Sequence, residues 1–323
     1  MTNKESGHEK IIVYMDGGLA SQMTSYSFGE CLRDKGYSPT FDLSWFDRYG
    51  RDRFLLKKVF GIDIEEATNL GKYRIYSSPN IGARFVKKSK LINLGIWAGT
   101  IPKLCYTVKP IYSGYRFSLD NLNSIEEMLK LESDIYFWGY WSFFVYIEKN
   151  ASHIRKIFRF PGISDETNKG ILEMIRSENS VGIHVRRGDY LKYPKVFHEL
   201  TLGYYNRAVE IMKNELDSPR FFVFSDDIKW CKEQFQQIGL SDKETNYVTG
   251  NEGDNAYIDM SLMKACKNNI VANSGFSLWA GFLNENTGKR VIAPKKYFAD
   301  SWCIRNGGDI YRIPEKSWIL IEN

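Results

Sequence analysis

Cysteine is sparse and scattered in this chain of 323 residues. The five cysteines are odd in number, lie far apart and include no Cys-x-x-Cys pair; they are Cys31, Cys105, Cys231, Cys266 and Cys303. Such a set argues against the disulfide framework of a small secreted domain and against a cysteine-ligated zinc site. The four histidines have no metal-ligand spacing either. We therefore expect a protein of a reducing compartment that uses no metal and no cofactor.

Long apolar runs are also missing. The longest apolar stretch, residues 135–147, is shorter than a membrane span and contains Gly139, Ser142 and three tyrosines. Residues 1–10 are polar and charged, and no apolar segment typical of a signal peptide precedes the first β-rich run. These features predict a cytoplasmic protein, associated at most peripherally with the inner face of the cell membrane.

Charge of either sign is not in strong excess. Lys and Arg number 44 against 39 Asp and Glu, which gives a formal net charge of +5 at pH 7. No basic stripe stands out, so nucleic acid is not an expected partner. The mild basicity fits an anionic small ligand or a weak attraction to a membrane surface. Aromatic residues are abundant at 15% of the chain, and most such rings pack in protein cores.

Two catalytic loops common in α/β proteins are absent from the sequence. No Gly-x-x-x-x-Gly-Lys-Ser/Thr loop occurs, which disfavours a P-loop kinase. No Gly-x-Ser-x-Gly elbow occurs, which disfavours an α/β-hydrolase. The adjacent carboxylates Asp226 and Asp227 offer fewer oxygen ligands than a strong Mg²⁺ or Ca²⁺ site needs.

Short β-rich runs alternate with helical patterns through the second half of the chain. The runs lie at residues 181–185, 220–224, 246–249, 269–272 and 290–293. This alternation predicts a parallel sheet with helices on both faces. The first half opens in the same way, with a run at 9–16, two glycines and a helical pattern over 19–35. A Pro-Gly pair at 161–162 and a polar segment then favour two domains, residues 1–165 and 166–323.

Polar loops follow three of the predicted strands in the second half. Their sequences are HVRRGD at 184–189, SDD at 225–227 and NSGFS at 273–277. The carboxyl ends of parallel strands meet at one edge of a sheet, so we expect these loops to converge. Two neighbouring guanidiniums match phosphate oxygens, and the third loop opens a helix whose N-terminus favours anions. The alternative is a surface cluster in which Asp189 neutralises one arginine.

The convergence predicts a nucleotide-sugar site built around a pyrophosphate. The paired arginines would hold the phosphates on one side and the helix N-terminus on the other. Nearby carboxylates are suited to accept hydrogen bonds from a ribose or a guanine edge. The candidates for that role are Asp226, Asp227 and Asp259.

Several segments, in order along most of the chain, resemble the α-1,2-fucosyltransferases of glycosyltransferase family 11. They are IIVYMDGGLASQM, FWGYWSFFVYI, HVRRGDY, FFVFSDDIKWCKE, YIDMSLMKACKNNIVANSGFSLWAGFLN and RVIAPKKYF. The resemblance implies an α/β, GT-B-like fold with two Rossmann-like domains facing a cleft. The first domain would lie mainly on the acceptor side, and the second would bind the GDP-sugar donor.

The reaction implied by the resemblance is a metal-independent transfer with inversion. L-fucose would pass from GDP-β-L-fucose to a hydroxyl, expected to be O2, of a galactoside. The acceptor would belong to a surface polysaccharide such as an O-antigen, or to an oligosaccharide, in a lipid-linked or free form. In such a transfer negative charge grows on the leaving diphosphate, so a fixed guanidinium favours the transition state over the ground state.

The resemblance also assigns roles to individual residues. Arg186 would hold the β-phosphate and, with Asp189, take part in catalysis, while Arg187 would have a secondary role. The donor-binding set would be His184, Arg186, Arg187, Asp226, Asp259, Ser274, Gly275 and Phe276. No general base is identified, and Asp16, His198 and Glu199 are candidates by position alone.

The N-terminal motif departs from the family pattern. The usual Gly-Gly-Leu-Gly-Asn-Gln is GGLASQ at residues 17–22, and Gly17, Gly18, Ser21 and Gln22 are its expected cleft residues. Ser21 lacks the amide of the usual asparagine. Two alternatives therefore stay open: a transferase for another GDP-6-deoxyhexose such as colitose, and a GDP-sugar-binding protein with weak catalysis.

Overall fold

Two compact units make up the chain. The structure is a computed structural model, and it describes residues 11–68, 106–108, 135–137, 144–301 and 315–323. Contacts divide the chain into Met1–Lys149 and Asn150–Asn323. The predicted boundary at 165/166 lies C-terminal of this division. Arg155 explains the difference, because its guanidinium donates to the carbonyl of Phe282 at 2.9 Å and pairs with Glu315 at 2.6 Å within the second unit.

The first unit is built on a parallel sheet of four described strands. They are β1 (Ile11–Tyr14), β2 (Pro39–Asp42), β3 (Tyr106–Val108) and β4 (Ile135–Phe137), in the order β2-β1-β4-β3. The described helices are α1 (Leu19–Asp34), α2 (Ser44–Tyr49), α3 (Leu56–Phe60) and α4 (Phe144–Lys149). All four residues of β1 are buried, as expected for an inner strand of a parallel sheet. The segment between β1 and α1 lies at the carboxyl edge of this sheet.

The second unit contains a parallel sheet of six described strands. They are β5 (Ser180–Val185), β6 (Arg220–Ser225), β7 (Thr245–Tyr247), β8 (Asn268–Ile270), β9 (Val291–Pro294) and β10 (Ile319–Ile321). The described helices are α5 (Ala151–Ile157), α6 (Glu166–Ser177), α7 (Leu202–Glu215), α8 (Ile228–Phe235), α9 (Ala256–Ala265) and α10 (Gly275–Leu283). The predicted alternation is confirmed, and β10 is an additional edge strand.

Strand order places a reversal in the middle of this sheet. The order is β10-β9-β8-β5-β6-β7, so the chain moves one way from β5 and the other way from β8. All six residues of β5 are buried, and its odd-numbered positions pack against Tyr204 and Tyr205 of α7. Each of these tyrosines donates to a main-chain carbonyl, Tyr204 to Val271 at 2.6 Å and Tyr205 to His184 at 3.3 Å. The core thus holds the ends of β5 and β8 in place.

Two sequence expectations about environment can be compared with the structure. Cys31, Cys231 and Cys266 are buried free thiols, whereas Cys105 and Cys303 lie outside the described residues. No helix in the described part of the chain has both the length and the apolar character needed to cross a membrane.

Candidate active site

The three predicted polar loops lie at the carboxyl ends of neighbouring strands. β5 pairs with β6 on one side and with β8 on the other, all in parallel. The reversal of strand order falls between β5 and β8. Open α/β sheets bind ligands in the crevice outside the strand ends at such a reversal. This edge of the second unit is therefore the candidate site.

Arg186 is held between two carboxylates at this edge. Its Nη2 lies 2.8 Å from Oδ1 of Asp189, and its Nη1 lies 3.1 Å from Oδ2 of Asp226. Burial by itself lowers the pKa of Arg186, but the hydrogen bond to Asp189 and the charge of Asp226 outweigh it and raise that pKa. About a third of the side chain, 35%, stays exposed. The guanidinium is therefore charged, oriented and open to a ligand.

Arg187 has its contacts within the protein instead. Its guanidinium lies 4.1 Å from the ring centroid of Trp230, and its Nη1 lies 3.0 Å from Glu199. Its Nε lies 3.4 Å from Asp227, and only 15% of its side chain is exposed. A cation over an indole face is attracted by the ring quadrupole. Arg187 thus fixes the loop after β5 onto helix α8, and sequence reasoning had not singled out Trp230.

Asp226 joins both arginines of the loop. Its Oδ1 accepts the backbone N–H of Arg187 at 2.9 Å, while its Oδ2 contacts Arg186. A Cβ on Gly188 would lie 2.9 Å from that Oδ2, closer than unbonded atoms approach. Glycine at 188 therefore allows the carboxylate of Asp226 to lie against the loop. Asp227 has a different function, because its Oδ1 caps α8 by accepting the N–H of Trp230 at 3.1 Å.

His184 presents a neutral ring at the end of β5. The imidazole stacks on Phe276, with 4.8 Å between ring centroids and 27° between planes. Burial, and next the positive charge of Arg186, lower the pKa of His184 to about 3. Its Nδ1 is buried and has no hydrogen-bond partner among the described residues. The side chain is therefore uncharged near neutral pH, and positive charge at the site comes from Arg186.

The loop after β8 is tied to the loop after β5. The Tyr190 hydroxyl donates to the carbonyl of Asn273 at 3.0 Å, and its burial raises the pKa of Tyr190 to about 12. The Asn273 amide donates to the carbonyls of His198 at 2.7 Å and Tyr297 at 2.8 Å. Ser274 is the N-cap residue of α10, and its side chain makes no capping bond. The first N–H groups of this helix, starting at Gly275, have no intrahelical partners and face an anion favourably.

Asp259 belongs to a separate polar group on α9. Its Oδ1 accepts from Nδ2 of Asn251 at 2.7 Å, and Asn251 exchanges amide hydrogen bonds with Asn168 at 2.8 and 2.9 Å. Burial raises the pKa of Asp259 to about 6, although the Asn251 bond opposes the shift. Of the candidate bases in this unit, Glu199 is engaged by Arg187, and His198 is linked to Asn273 through its main chain.

The N-terminal motif forms a compact turn in the first unit. Gly17 has φ +72°, a conformation that favours glycine, and a Cβ there would lie 3.1 Å from Cβ of Ser21. The Ser21 hydroxyl donates to Oδ1 of Asp16 at 3.3 Å, and burial raises the pKa of Asp16 despite this bond. Gly18 is the N-cap residue of α1 and is exposed.

Gln22 of this motif contacts the main chain around it. Its side chain is fully buried, and Nε2 donates to the carbonyls of Gly17 at 3.0 Å and Arg53 at 2.8 Å. Its Oε1 accepts the N–H of Leu55 at 2.8 Å. All three contacts are with main chain, so Gln22 fixes the turn to the segment before α3. The structure thus gives Gln22 a structural role, and its expected place in the cleft stays a prediction.

Among the described residues, no three His, Cys, Asp or Glu side chains are arranged to hold a metal ion.

Comparison with known proteins identifies the family. The family model described as glycosyl transferase family 11 matches residues 110–322, which is well over half of the chain. The chain belongs to glycosyltransferase family 11. The predicted family and the predicted class of enzyme, a glycosyltransferase, are therefore confirmed.

Two relatives of this family 11 enzyme differ in how much of it they match. An alpha-1,2-colitosyltransferase of Escherichia coli is 29% identical over 322 residues, which cover 97% of this chain and 99% of the relative. Galactoside 2-alpha-L-fucosyltransferase Sec1 of Mus musculus is 34% identical over 107 residues, which cover 32% of this chain and 28% of that protein.

A solved structure supports the fold of the family 11 chain. A variant of Arabidopsis thaliana FUT1, solved in complex with GDP, aligns with a TM-score of 0.51 and 12% identity. The alignment covers 87% of this chain and 70% of the FUT1 chain. Together with the two parallel sheets, it confirms the predicted α/β fold of GT-B type.

Proposed function

We propose that this family 11 enzyme transfers a 6-deoxyhexose, with inversion, from its GDP-activated form to O2 of a galactoside. L-fucose from GDP-β-L-fucose is the first donor that we propose. The observation that carries the proposal is Arg186, a charged and partly open guanidinium on the loop that Tyr190 ties to the segment before α10. In this assignment residues 166–323 bind the donor and residues 1–165 lie mainly on the acceptor side. The acceptor belongs to a surface polysaccharide or an oligosaccharide.

The proposed reaction is helped most by charge at the leaving group. The acceptor oxygen attacks C1 of the sugar, the bond from C1 to the β-phosphate oxygen breaks, and that oxygen keeps the electron pair. A charge-assisted hydrogen bond to a guanidinium contributes about 1.5–3 kcal/mol. Arg186 contributes more in the transition state than in the ground state, because the phosphate charge that it meets increases. The proton of the acceptor hydroxyl goes to a base that stays a prediction among Asp16, His198 and Glu199.

We propose that a diphosphate binds by an exchange of partners at Arg186. Asp226 is 25% exposed and is also bound by the N–H of Arg187, whereas the Asp189 side chain is 49% exposed. We propose that the β-phosphate displaces Asp189 and that Asp226 keeps the guanidinium in place. His184 and Phe276 would then form a flat wall beside the diphosphate, and Ser274 and Gly275 would supply hydrogen-bond donors.

Colitose is the second candidate for the transferred sugar. A specific observation favours it, since the relative that matches 97% of this chain is described as a colitosyltransferase. Colitose lacks the 3-hydroxyl of fucose. A site built to hydrogen-bond a hydroxyl rejects an analogue that lacks it by about 10⁴–10⁵-fold. The ratio of kcat/KM for GDP-fucose and GDP-colitose with one acceptor therefore decides between the two sugars.

Release of GDP tests the proposal itself. GDP should raise the melting temperature more than UDP or ADP, and a β-galactoside should accelerate GDP release from the donor. Replacing Arg186 with Ala should lower that release about 10²–10³-fold, as for loss of one transition-state donor. A larger shift with UDP would contradict the nucleotide assignment. Binding of GDP-sugar without turnover would instead support a weakly catalytic binding protein.

A further inference from the structure

Five consecutive residues beyond the Arg186 loop lie exposed at the surface of the second unit. This segment, Leu191–Lys195, is called the knob here, and every one of its side chains is exposed. Leu191 is 41% exposed and Tyr193 is 58% exposed, two large apolar side chains within three residues. Elsewhere in this unit the exposed large apolar residues Met174 and Leu320 lie singly. Scattered apolar residues are ordinary on a surface, whereas a cluster requires an explanation.

The knob rests on a fixed base. The ring of Tyr190 stacks on Phe197, with 3.9 Å between centroids and 7° between planes. The N–H of Leu191 donates to the carbonyl of Arg187 at 2.9 Å, and the Ser301 hydroxyl donates to the carbonyl of Lys195 at 3.1 Å. Both ends of the knob are therefore anchored by hydrogen bonds, and its apolar side chains are held outward.

The two lysines of the knob, Lys192 and Lys195, give it a positive charge. Neither Lys192 nor Lys195 forms an ion pair within the part of the chain that the structure describes. The acidic residues beside the knob already have partners, which are Arg186 for Asp189, Arg187 for Glu199 and Lys296 for Asp300. Two apolar side chains and two available ammonium groups thus alternate along the knob.

We propose that the knob docks the enzyme on an anionic membrane surface. Leu191 and Tyr193 enter the headgroup region, and Lys192 and Lys195 pair with lipid phosphates. A tyrosine ring suits that depth because one end is apolar and the other is wet, and lysine stems cover apolar surface while their charge stays in water. Attachment through so few side chains is weak and reversible.

Docking there has a consequence for the acceptor, which rests on the proposed function. The knob begins two residues after Asp189, so attachment brings the candidate donor site close to the membrane. An acceptor glycan carried on a lipid would then be concentrated at the site, whereas a free glycan would not. The proposed membrane contact of the knob does not depend on which sugar the enzyme transfers.

Vesicle binding tests the proposal without any donor or acceptor. The full-length chain should bind phosphatidylglycerol-containing vesicles at low salt, release at high salt, and ignore vesicles of phosphatidylcholine alone. Lys192→Gln with Lys195→Gln should weaken binding about 30-fold, at about 1 kcal/mol per lysine. Leu191→Ser with Tyr193→Ser should weaken binding and leave its salt dependence unchanged.

Control variants remove the same number of lysines, or one exposed apolar side chain, elsewhere on the second unit. Lys229→Gln with Lys243→Gln, and separately Met174→Ser, should bind vesicles as the unchanged chain does. The knob variants should keep their GDP-induced melting shift and their turnover of a soluble acceptor. The proposal is overturned if the unchanged chain does not bind anionic vesicles, or if control and knob variants lose binding equally. Normal vesicle binding by the knob variants, with lost turnover of soluble acceptor, would assign the knob to substrate instead.

Discussion

Asp226 contacts both arginines of the loop after β5 and sets their different orientations. One carboxylate receives the N–H of Arg187 and the guanidinium of Arg186, and Gly188 lies directly against it. The two arginines consequently face different partners. Arg186 stays partly open, whereas Arg187 lies against Trp230. A single acidic neighbour thus leaves one guanidinium partly exposed and the other packed within the protein.

Replacing Gly188 with Ala should weaken the contact between Arg186 and Asp226. The new Cβ would lie 2.9 Å from Oδ2 of Asp226, and the carboxylate must move because it is the movable partner. That movement lengthens the contact with Arg186 while the sheet stays intact. We expect GDP affinity to fall about tenfold, the loss of roughly one hydrogen bond to a charged group, with only a small change in melting temperature. Titration calorimetry with GDP measures this, and Gly203→Ala in α7 is the matched control.

A fall in pH should change the contributions of His184 and Asp259 to the stability of the fold in opposite directions. His184 has a pKa of about 3 when folded and 6.5 as a free side chain, so its stabilising contribution is present above pH 6.5 and is lost as pH falls toward 3. Asp259 has a pKa of about 6 when folded and 3.8 when free. Its contribution is present below pH 3.8 and is lost as pH rises through 6.

Two variants separate these contributions. For His184→Gln, the deficit in unfolding free energy relative to the unchanged chain should grow as pH rises from 4 toward 6.5. For Asp259→Asn, the difference should change in the opposite direction over pH 3.8 to 6. Urea unfolding followed by tryptophan fluorescence at several pH values measures both. Equal slopes for the two variants would contradict the assigned ionisation states.

At the scale of elements, the candidate site depends on the bond that joins the loop after β5 to the loop after β8. Replacing Tyr190 with Phe removes its hydrogen bond to Asn273 and keeps the ring on Phe197. We expect a loss of about 0.5–1.5 kcal/mol in stability and a weaker GDP complex, because α10 is less firmly placed. Tyr136→Phe in the first unit is the control, since it loses a buried bond to Asp42. It should lower stability while GDP affinity, measured by titration, stays unchanged.

Sequence patterns predicted most elements of the second unit because each carries its own signal. β5 is an apolar run that ends in charge, and α7 repeats apolar residues at helical spacing. β10 has no such signal, since three residues are too few for a pattern and it exists through parallel pairing with β9. Near residue 150 the chain forms two short helices, since α4 ends at Lys149 and α5 begins at Ala151. Short elements and the ends of elements depend on tertiary contacts, which the periodicity of the sequence does not predict.

Across the whole molecule, the sequence predicted those parts of the candidate site that consist of consecutive residues. It did not predict the contacts between segments that lie far apart in sequence. The HVRRGD loop and the NSGFS loop were identified from the residues that they contain. Trp230 was not identified, because its role comes from contact with Arg187 at the end of another strand. The contacts of Gln22 with the main chain of Gly17, Arg53 and Leu55 likewise carried no signal in its own motif.

The proposed division of labour between the units predicts where a nucleotide alone protects the chain. Ligand binding stabilises the segments that contact the ligand, by mass action. In hydrogen–deuterium exchange of the full chain, GDP should slow amide exchange in residues 186–190, 225–228 and 273–277 of the second unit. Residues 16–22 of the first unit should exchange at unchanged rates. UDP at the same concentration should protect the three segments less, and Arg186→Ala should abolish the protection. Protection of residues 16–22 by GDP alone would contradict the assignment of the first unit to the acceptor.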